Sequence, residues 1–69
     1  MNKETIVELV HEGYMDQEVG VYHTFDRFYG RWVAVDLHNE TIELRNKINQ
    51  RIIIDYTMIS AIVLTEADE

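Results

Sequence analysis

Hydrophobic residues near the start of the chain follow the period of an α-helix. Four apolar side chains at i, i+3, i+4 and i+8 would form one stripe along such a helix: Ile6, Leu9, Val10 and Tyr14. Asn2 is suited to cap the helix N-terminus, and Gly13 suits the left-handed conformation that ends many helices. We therefore predict a helix over residues 3–13 whose apolar stripe covers a core.

From residue 18 onward the period shortens to two, which is typical of β-strands with alternating faces. Segments rich in β-branched residues alternate with polar turns, and the chain contains no proline. The predicted strands are residues 18–25, 28–37, 41–45, 50–55 and 59–64. A one-turn corner at residues 56–58 joins the last two strands, and Gly30 predicts a bulge or a sharp bend in the second strand.

The last two predicted strands are rich in isoleucine. The residues that we assign to an exposed sheet edge are Ile52, Ile53, Ile54 and Ile62. An edge of this composition invites pairing with another chain. Either closure of the sheet hides the edge, or the native state uses it as an interface between subunits, and we favour the interface.

The length of 69 residues suits a single domain over residues 1–69, with a barrel over residues 17–64 and a short acidic tail at residues 65–69. Its core is thin, so an interface would add stability. Because the chain has no cysteine, disulfides, zinc–thiolate sites and a cysteine nucleophile are excluded. The apolar runs are too short to span a membrane and no signal-peptide pattern is present, so we expect a soluble, cytoplasmic protein.

Charge weighs against a general affinity for nucleic acid. Six Lys and Arg residues face thirteen Asp and Glu residues, which gives a formal net charge of -7. Nucleic-acid affinity depends on basic groups that displace counterions from phosphates. One local cluster of cations surrounds a predicted turn: Arg45, Lys47 and Arg51. This cluster is interpreted either as solvated turn charges or as a phosphate-binding patch.

The predicted helix also carries an acidic stripe. Its members recur at i, i+4 and i+8: Glu4, Glu8 and Glu12. The stripe is either the solvated face of the helix or a site for a basic partner. Like charges at this spacing slightly weaken a helix, and this cost slightly favours a functional role for the stripe.

Catalytic and metal-binding patterns are missing from the sequence. His11, His23 and His38 have none of the spacings that metal ligands share. No glycine-rich phosphate loop, nucleophile elbow or Ser-His-Asp arrangement occurs either. We therefore predict that the protein is not an enzyme and uses no metal or cofactor.

Aromatic residues concentrate around the first two predicted strands and the corner. Tyrosine and tryptophan on the surface of a small β-domain often form recognition platforms for peptides or stacked bases. The predicted partner-contacting residues are Tyr22, Tyr29, Trp32 and Tyr56. Phe25 and Trp32 could instead belong to the core.

Two segments resemble the Sm-like proteins. Gly30 and Asp36 match the glycine and aspartate of the first Sm motif, and VAVDLHNETIEL is similar to the strand–turn–strand of that motif. IIIDYTMISAIVL resembles the closing strands of bacterial Sm-like proteins, including Hfq. The VGVYHTF segment and the isoleucine-rich fourth strand are most similar to YolD-like proteins. The resemblance implies a mainly β fold in which an N-terminal helix precedes a small, closed, five-stranded antiparallel Sm-like or SH3-like barrel.

The sequence departs from the RNA-binding members of that family. Thr41 stands where the strand register places their base-contacting asparagine, and Asp55-Tyr56 replaces their Arg-Gly pair. Tyr56-Thr57 stands in place of the Lys-His pair of Hfq. RNA binding in the family manner is therefore not expected. The resemblance to YolD-like proteins, which are small bacterial and phage proteins, implies an accessory role.

Three functional hypotheses follow. The first is a non-enzymatic protein-binding module that assembles with copies of itself through strand edges and engages a protein partner through its acidic, aromatic surface. The second is a single-stranded nucleic-acid binder that uses Arg45, Lys47, Arg51 and the aromatic residues. The third is an acidic inhibitor of the phage type that mimics nucleic acid and binds a basic protein.

Overall fold

A computed structural model describes residues 1–65, so residues 66–69 of the predicted tail lie outside the described residues. The elements in chain order are α1 (Lys3–His11), β1 (Glu18–His23), β2 (Arg27–Asp36), β3 (Thr41–Arg45), β4 (Arg51–Asp55), the 3₁₀ helix η1 (Tyr56–Met58) and β5 (Ile59–Leu64). The sequence pattern therefore predicted every element and the corner at residues 56–58. The helix and the first strand end two residues earlier than predicted.

Helix α1 begins at the predicted residue and is followed by the predicted glycine. The Asn2 side-chain oxygen accepts a hydrogen bond from the backbone N–H of Thr5 at 2.9 Å, which satisfies one of the unpaired donors of the first turn. Gly13 follows the last turn with a φ of 95°, a value that side chains disfavour. Ile6 is buried, and the other three stripe residues pack against the core. The predicted core-facing stripe is confirmed.

The five strands form one antiparallel sheet in the order β4-β3-β2-β1-β5. Its two end strands, β4 and β5, are joined only by η1. In a flat sheet they would lie about 19 Å apart, because neighbouring strands are about 4.8 Å apart. The chain from Asp55 to Ile59 can reach only about 14 Å. The sheet must therefore curl toward the corner.

The predicted closure of the sheet is wrong. The ladder of hydrogen-bonded strands ends at β4 on one side and at β5 on the other, so the sheet of residues 1–65 is open. The reason lies in η1, which turns the chain through a corner without pairing the strands that it connects. An open sheet retains two strand edges.

In β2 the β-bulge lies at Val33 and not at Gly30. Register advances two residues along β2, from Trp32 to Ala34, while β3 advances one, so Val33 is the extra residue. Gly30 has a different requirement: a Cβ there would lie 2.7 Å from the backbone oxygen of Arg45. Glycine is needed because β3 approaches β2 closely at this point.

The core lies between α1 and the concave side of the sheet. Its buried apolar residues are Ile6, Val19, Val21, Trp32, Ile42, Leu44, Ile54, Tyr56, Ile59 and Ile62. Four of these had been assigned to surfaces, and their burial corrects those predictions. Trp32 and Tyr56 do not present their rings to a partner, and the side chains of Ile54 and Ile62 fill the core.

Candidate functional site

The predicted aromatic contact set divides between the core and the outer face, by which we mean the side of the sheet that points away from the core. Trp32 and Tyr56 are 0% and 1% exposed, whereas Tyr29 is 54% exposed and Tyr22 is half-buried. The alternation of side chains between the two faces of a strand explains the division. Tyr22 follows the buried Val21, and Tyr29 precedes the buried Gly30, so both tyrosines point outward. Only the two tyrosines can form a contact surface.

Each outward tyrosine is held by its neighbours. Gly20 pairs with Tyr29 across β1 and β2, and the Tyr29 ring lies over it, 3.0 Å from where a Cβ of residue 20 would stand. The guanidinium of Arg27 lies 5.9 Å from the centroid of the Tyr22 ring, which is within the range of a cation–π contact. Each ring therefore lies against a neighbouring residue on the outer face of the sheet.

The two buried aromatic residues differ in how their polar atoms are satisfied. The indole nitrogen of Trp32 donates a hydrogen bond to the carbonyl of Ala34 at 3.1 Å. The Tyr56 hydroxyl is buried and has no hydrogen-bond partner among residues 1–65. Burial raises the pKa of Tyr56, and the negative charges of Glu40 and Glu4 raise it further. Burial and the nearby carboxylates thus both favour the protonated, neutral form of the hydroxyl.

The strand edges carry apolar side chains that the core does not use. Ile53 of β4 is 52% exposed, and Val63 and Leu64 of β5 are also exposed. Ile52 is half-buried and packs against the core. Because β4 and β5 are the end strands, each has backbone groups on one side that no strand of residues 1–65 pairs. Of the predicted edge residues, Ile53 is the one whose side chain is available at the surface.

The predicted cationic cluster contains an internal anion. Glu43 lies on the outer face of β3, and one of its carboxylate oxygens is 3.2 Å from the Nε atoms of both Arg45 and Arg51. The hydrogen bond from Arg51 is the main reason that the pKa of Glu43 is lowered. Two of the three predicted phosphate-binding residues thus share one carboxylate, which reduces the local positive charge.

The turn between β3 and β4 is shaped by asparagines. The Asn46 side-chain oxygen accepts hydrogen bonds from the backbone N–H groups of Ile48 and Gln50. Asn49 adopts a φ of 64°, in the left-handed region that asparagine tolerates. The turn leaves Lys47 and Ile48 exposed beside Tyr29, where they line a depression of about 350 Å³.

Arg31 is a surface residue that sequence reasoning missed. It pairs with Arg45 across β2 and β3, and Arg45 pairs with Arg51 across β3 and β4. Directly opposed residues share a face, and the next pair along, Trp32 and Leu44, is buried. The three arginines therefore form one outward row across three strands. We call Arg31, Arg45 and Arg51 the arginine row.

Phe25 is a second residue that was not recognised as a surface group. Because β1 ends at His23, Phe25 falls in the β1–β2 turn and is 83% exposed. The turn is anchored, since both the backbone N–H and the hydroxyl of Thr24 donate to the carbonyl of Met58 at 3.1 and 3.0 Å. The shorter strand could not be read from an alternation that continues through residue 25.

No group of three or more His, Asp or Glu residues within residues 1–65 is placed to hold a metal ion. Across the same residues, no helix has the length and apolar character needed to cross a membrane.

Comparison with known proteins finds no match: no family model, no curated protein and no solved structure is similar to the chain. The resemblance to Sm-like and YolD-like proteins therefore stays a prediction.

Proposed function

We propose that the protein is a non-enzymatic binding and accessory module that assembles with copies of itself through strand edges. Its fold would be an open variant of the Sm-like or SH3-like barrel. The observation that carries the proposal is the strand order, in which β4 and β5 both end the sheet. Unpaired backbone donors and acceptors on such edges favour the addition of a strand from another chain.

The side chains at the edges favour this assembly over solvent exposure. Natural proteins usually protect an edge with lysine, proline or a short strand. Here β4 carries the exposed Ile53, and the six-residue β5 carries the exposed Val63 and Leu64. Burial of such side chains between copies would add hydrophobic stabilisation of about 25 cal/mol per Å² to the backbone pairing. A domain of this size benefits from the added core.

Substitution of Ile53 by lysine tests the assembly. The side chain is already half exposed, so the fold should survive and circular dichroism should remain unchanged. Analytical ultracentrifugation should show a lower mass than that of the wild type. Ile48→Lys is the matched control, because Ile48 is more exposed but lies in the β3–β4 turn. An unchanged mass for a folded Ile53→Lys variant would overturn edge assembly.

A protein partner would contact the outer face, where the rings of Tyr22 and Tyr29 lie. Aromatic residues with few rotatable bonds are the side chains that most often dominate binding energy. The YolD-like resemblance supports an accessory role in a larger assembly. The hypothesis of an acidic inhibitor that mimics nucleic acid stays a prediction.

Single-stranded nucleic-acid binding is the second candidate function. The observation that favours it is the depression of about 350 Å³ in which Tyr29 lies beside Lys47, since a ring and a cation together can stack a base and hold a phosphate. Titration with a short single-stranded oligonucleotide at low salt tests this candidate. Absence of binding at low salt would remove it, because electrostatic affinity is greatest there.

A further inference from the structure

The arginine row places like charges in direct opposition on neighbouring strands. Arg31 lies across from Arg45, and Arg45 lies across from Arg51. Opposed like charges destabilise a sheet. Half of the six cationic residues in a chain of net charge -7 are nevertheless placed in this row. The arrangement needs an anionic counterpart.

The chain supplies only part of that counterpart. Glu43 pairs with Arg45 and Arg51, so two cations share one carboxylate. Arg31 forms no side-chain hydrogen bond or ion pair among residues 1–65, although Glu18 lies opposite it on β1. Three arginines thus face two carboxylates, Glu18 and Glu43, so the row retains positive charge on the outer face.

The glutamate stripe of α1 (Glu4, Glu8 and Glu12) places like negative charges next to one another. Glu8 lies two residues after the buried Ile6, which is about 200° around a helix of 3.6 residues per turn, so the stripe faces away from the core. All three glutamates are exposed, and none forms a side-chain hydrogen bond or ion pair within the described residues. Carboxylates at i and i+4 repel one another and weaken the helix.

We propose that the arginine row of one copy is the docking site for the glutamate stripe of a second copy. The lengths agree: three neighbouring strands place the arginines over about 10 Å, and a rise of 1.5 Å per residue places the glutamates over about 12 Å. Arginine and carboxylate form charge-assisted pairs that are often bidentate. Two rows that each destabilise an isolated chain thus neutralise one another between chains.

A second copy fits this row better than nucleic acid does. A polyanion would extend its charge beyond the row, over a surface whose net charge is -7. The stripe is a short anion that ends after three carboxylates. At physiological salt the screening length is about 8 Å, so the net repulsion between two acidic chains is largely screened while close pairs remain.

The contact joins unlike surfaces. It uses side chains on the outer face, including Arg51 of β4, whereas edge assembly uses the unpaired backbone groups of β4 and β5. Each copy would offer a stripe to one neighbour and a row to another, which is a heterologous contact. The proposal can therefore fail while edge assembly holds, and the reverse is also true.

Complementary charge reversals test the contact. R31E disrupts the row and keeps the stripe, whereas E8R disrupts the stripe and keeps the row. Each variant alone should lose the contact, but a mixture should regain one contact per pair. We expect isothermal titration of R31E with E8R to show binding about tenfold or more tighter than R31E shows for itself. This binding should weaken as salt is raised.

The controls separate the contact from charge in general. R27E changes an exposed arginine of β2 outside the row and should self-associate like the wild type. Arg31→Gln removes the charge without reversing it, and it replaces R31E if circular dichroism shows that the reversal disturbs the sheet. The proposal is overturned if R31E binds E8R no better than itself, or if R27E loses association as R31E does. It is also overturned if the affinity of a short single-stranded oligonucleotide for E8R is higher than the affinity of R31E for E8R.

Discussion

A Cβ atom added to Gly30 would stand 2.7 Å from the backbone carbonyl oxygen of Arg45. The obstacle is the backbone of the last residue of β3, and it cannot move without displacing the end of β3 from β2. We therefore expect Gly30→Ala to lower the free energy of unfolding by about 1–3 kcal/mol, the usual cost of overpacking. Urea unfolding followed by the fluorescence of Trp32, the only tryptophan, measures the loss.

Gly20→Ala is the matched control for that substitution. Its new methyl group would also be crowded, but by the ring of Tyr29 at 3.0 Å, which is an exposed side chain that can turn away. The cost should therefore be smaller than at Gly30. Equal losses at the two glycines would show that the backbone contact with Arg45 is not the controlling feature.

The same region shows why the arginine row could not be predicted from the sequence. If the pairing of β2 with β3 continued from their turn without a bulge, Trp32 would lie opposite Arg45, and Arg31 would lie opposite a residue beyond the end of β3. The bulge at Val33 shifts this register by one and places Arg31 opposite Arg45. The hydrogen bond from Trp32 to Ala34 spans the bulge. A one-residue bulge leaves the alternating pattern of an apolar run such as WVAV ambiguous.

Local patterns did predict the elements, because helix caps, turn asparagines and strand alternation each depend on near neighbours. Burial of Tyr56 and the open ends of the sheet depend instead on where η1 places residues distant in the chain. Strand alternation does not apply within a corner such as η1, so the sequence does not distinguish an exposed aromatic residue there from a buried one. The residue types of the candidate surfaces could therefore be predicted from the sequence, but the side of the sheet on which each residue lies could not.

Removal of the Tyr56 hydroxyl should stabilise the protein. The hydroxyl is buried without a partner among residues 1–65, and an unsatisfied buried donor costs free energy that phenylalanine avoids. We expect Tyr56→Phe to raise the melting temperature by a few degrees, with Tyr22→Phe as a control whose hydroxyl is not in the core. A lower melting temperature for Tyr56→Phe would instead indicate a hydrogen bond that the variant loses, for example to a buried water.

Acid should destabilise the fold through the aspartates that cap its turns. Asp36 accepts hydrogen bonds from the backbone and side chain of Asn39, and Asp55 accepts them from the side chain and backbone of Thr57. These bonds lower both pKa values from the ordinary 3.8. A lowered pKa in the folded state means that the stabilisation is present above the ordinary value and is lost as the pH falls through the folded-state value.

The urea midpoint measured against pH checks this expectation. The wild-type midpoint should fall below about pH 4, and the fall should be shallower for Asp36→Asn and Asp55→Asn, because amides do not titrate. Protonation also relieves the net negative charge, which acts in the opposite direction, so the comparison between wild type and variants isolates the aspartates. Parallel curves for all three proteins would contradict the assignment.

Loss of the Glu43 carboxylate should expose the repulsion within the arginine row. Glu43→Gln keeps the size of the side chain but removes the charge that Arg45 and Arg51 share. We expect a lower midpoint of unfolding in low salt and a partial recovery in high salt, because salt screens the repulsion between the two guanidinium groups. The double variant Glu43→Gln, Arg51→Gln should be less salt-dependent than Glu43→Gln, since only one charge of the opposed pair remains. If salt affects both variants equally, the two arginines do not repel one another in the folded protein and Glu43 acts only as a hydrogen-bond acceptor.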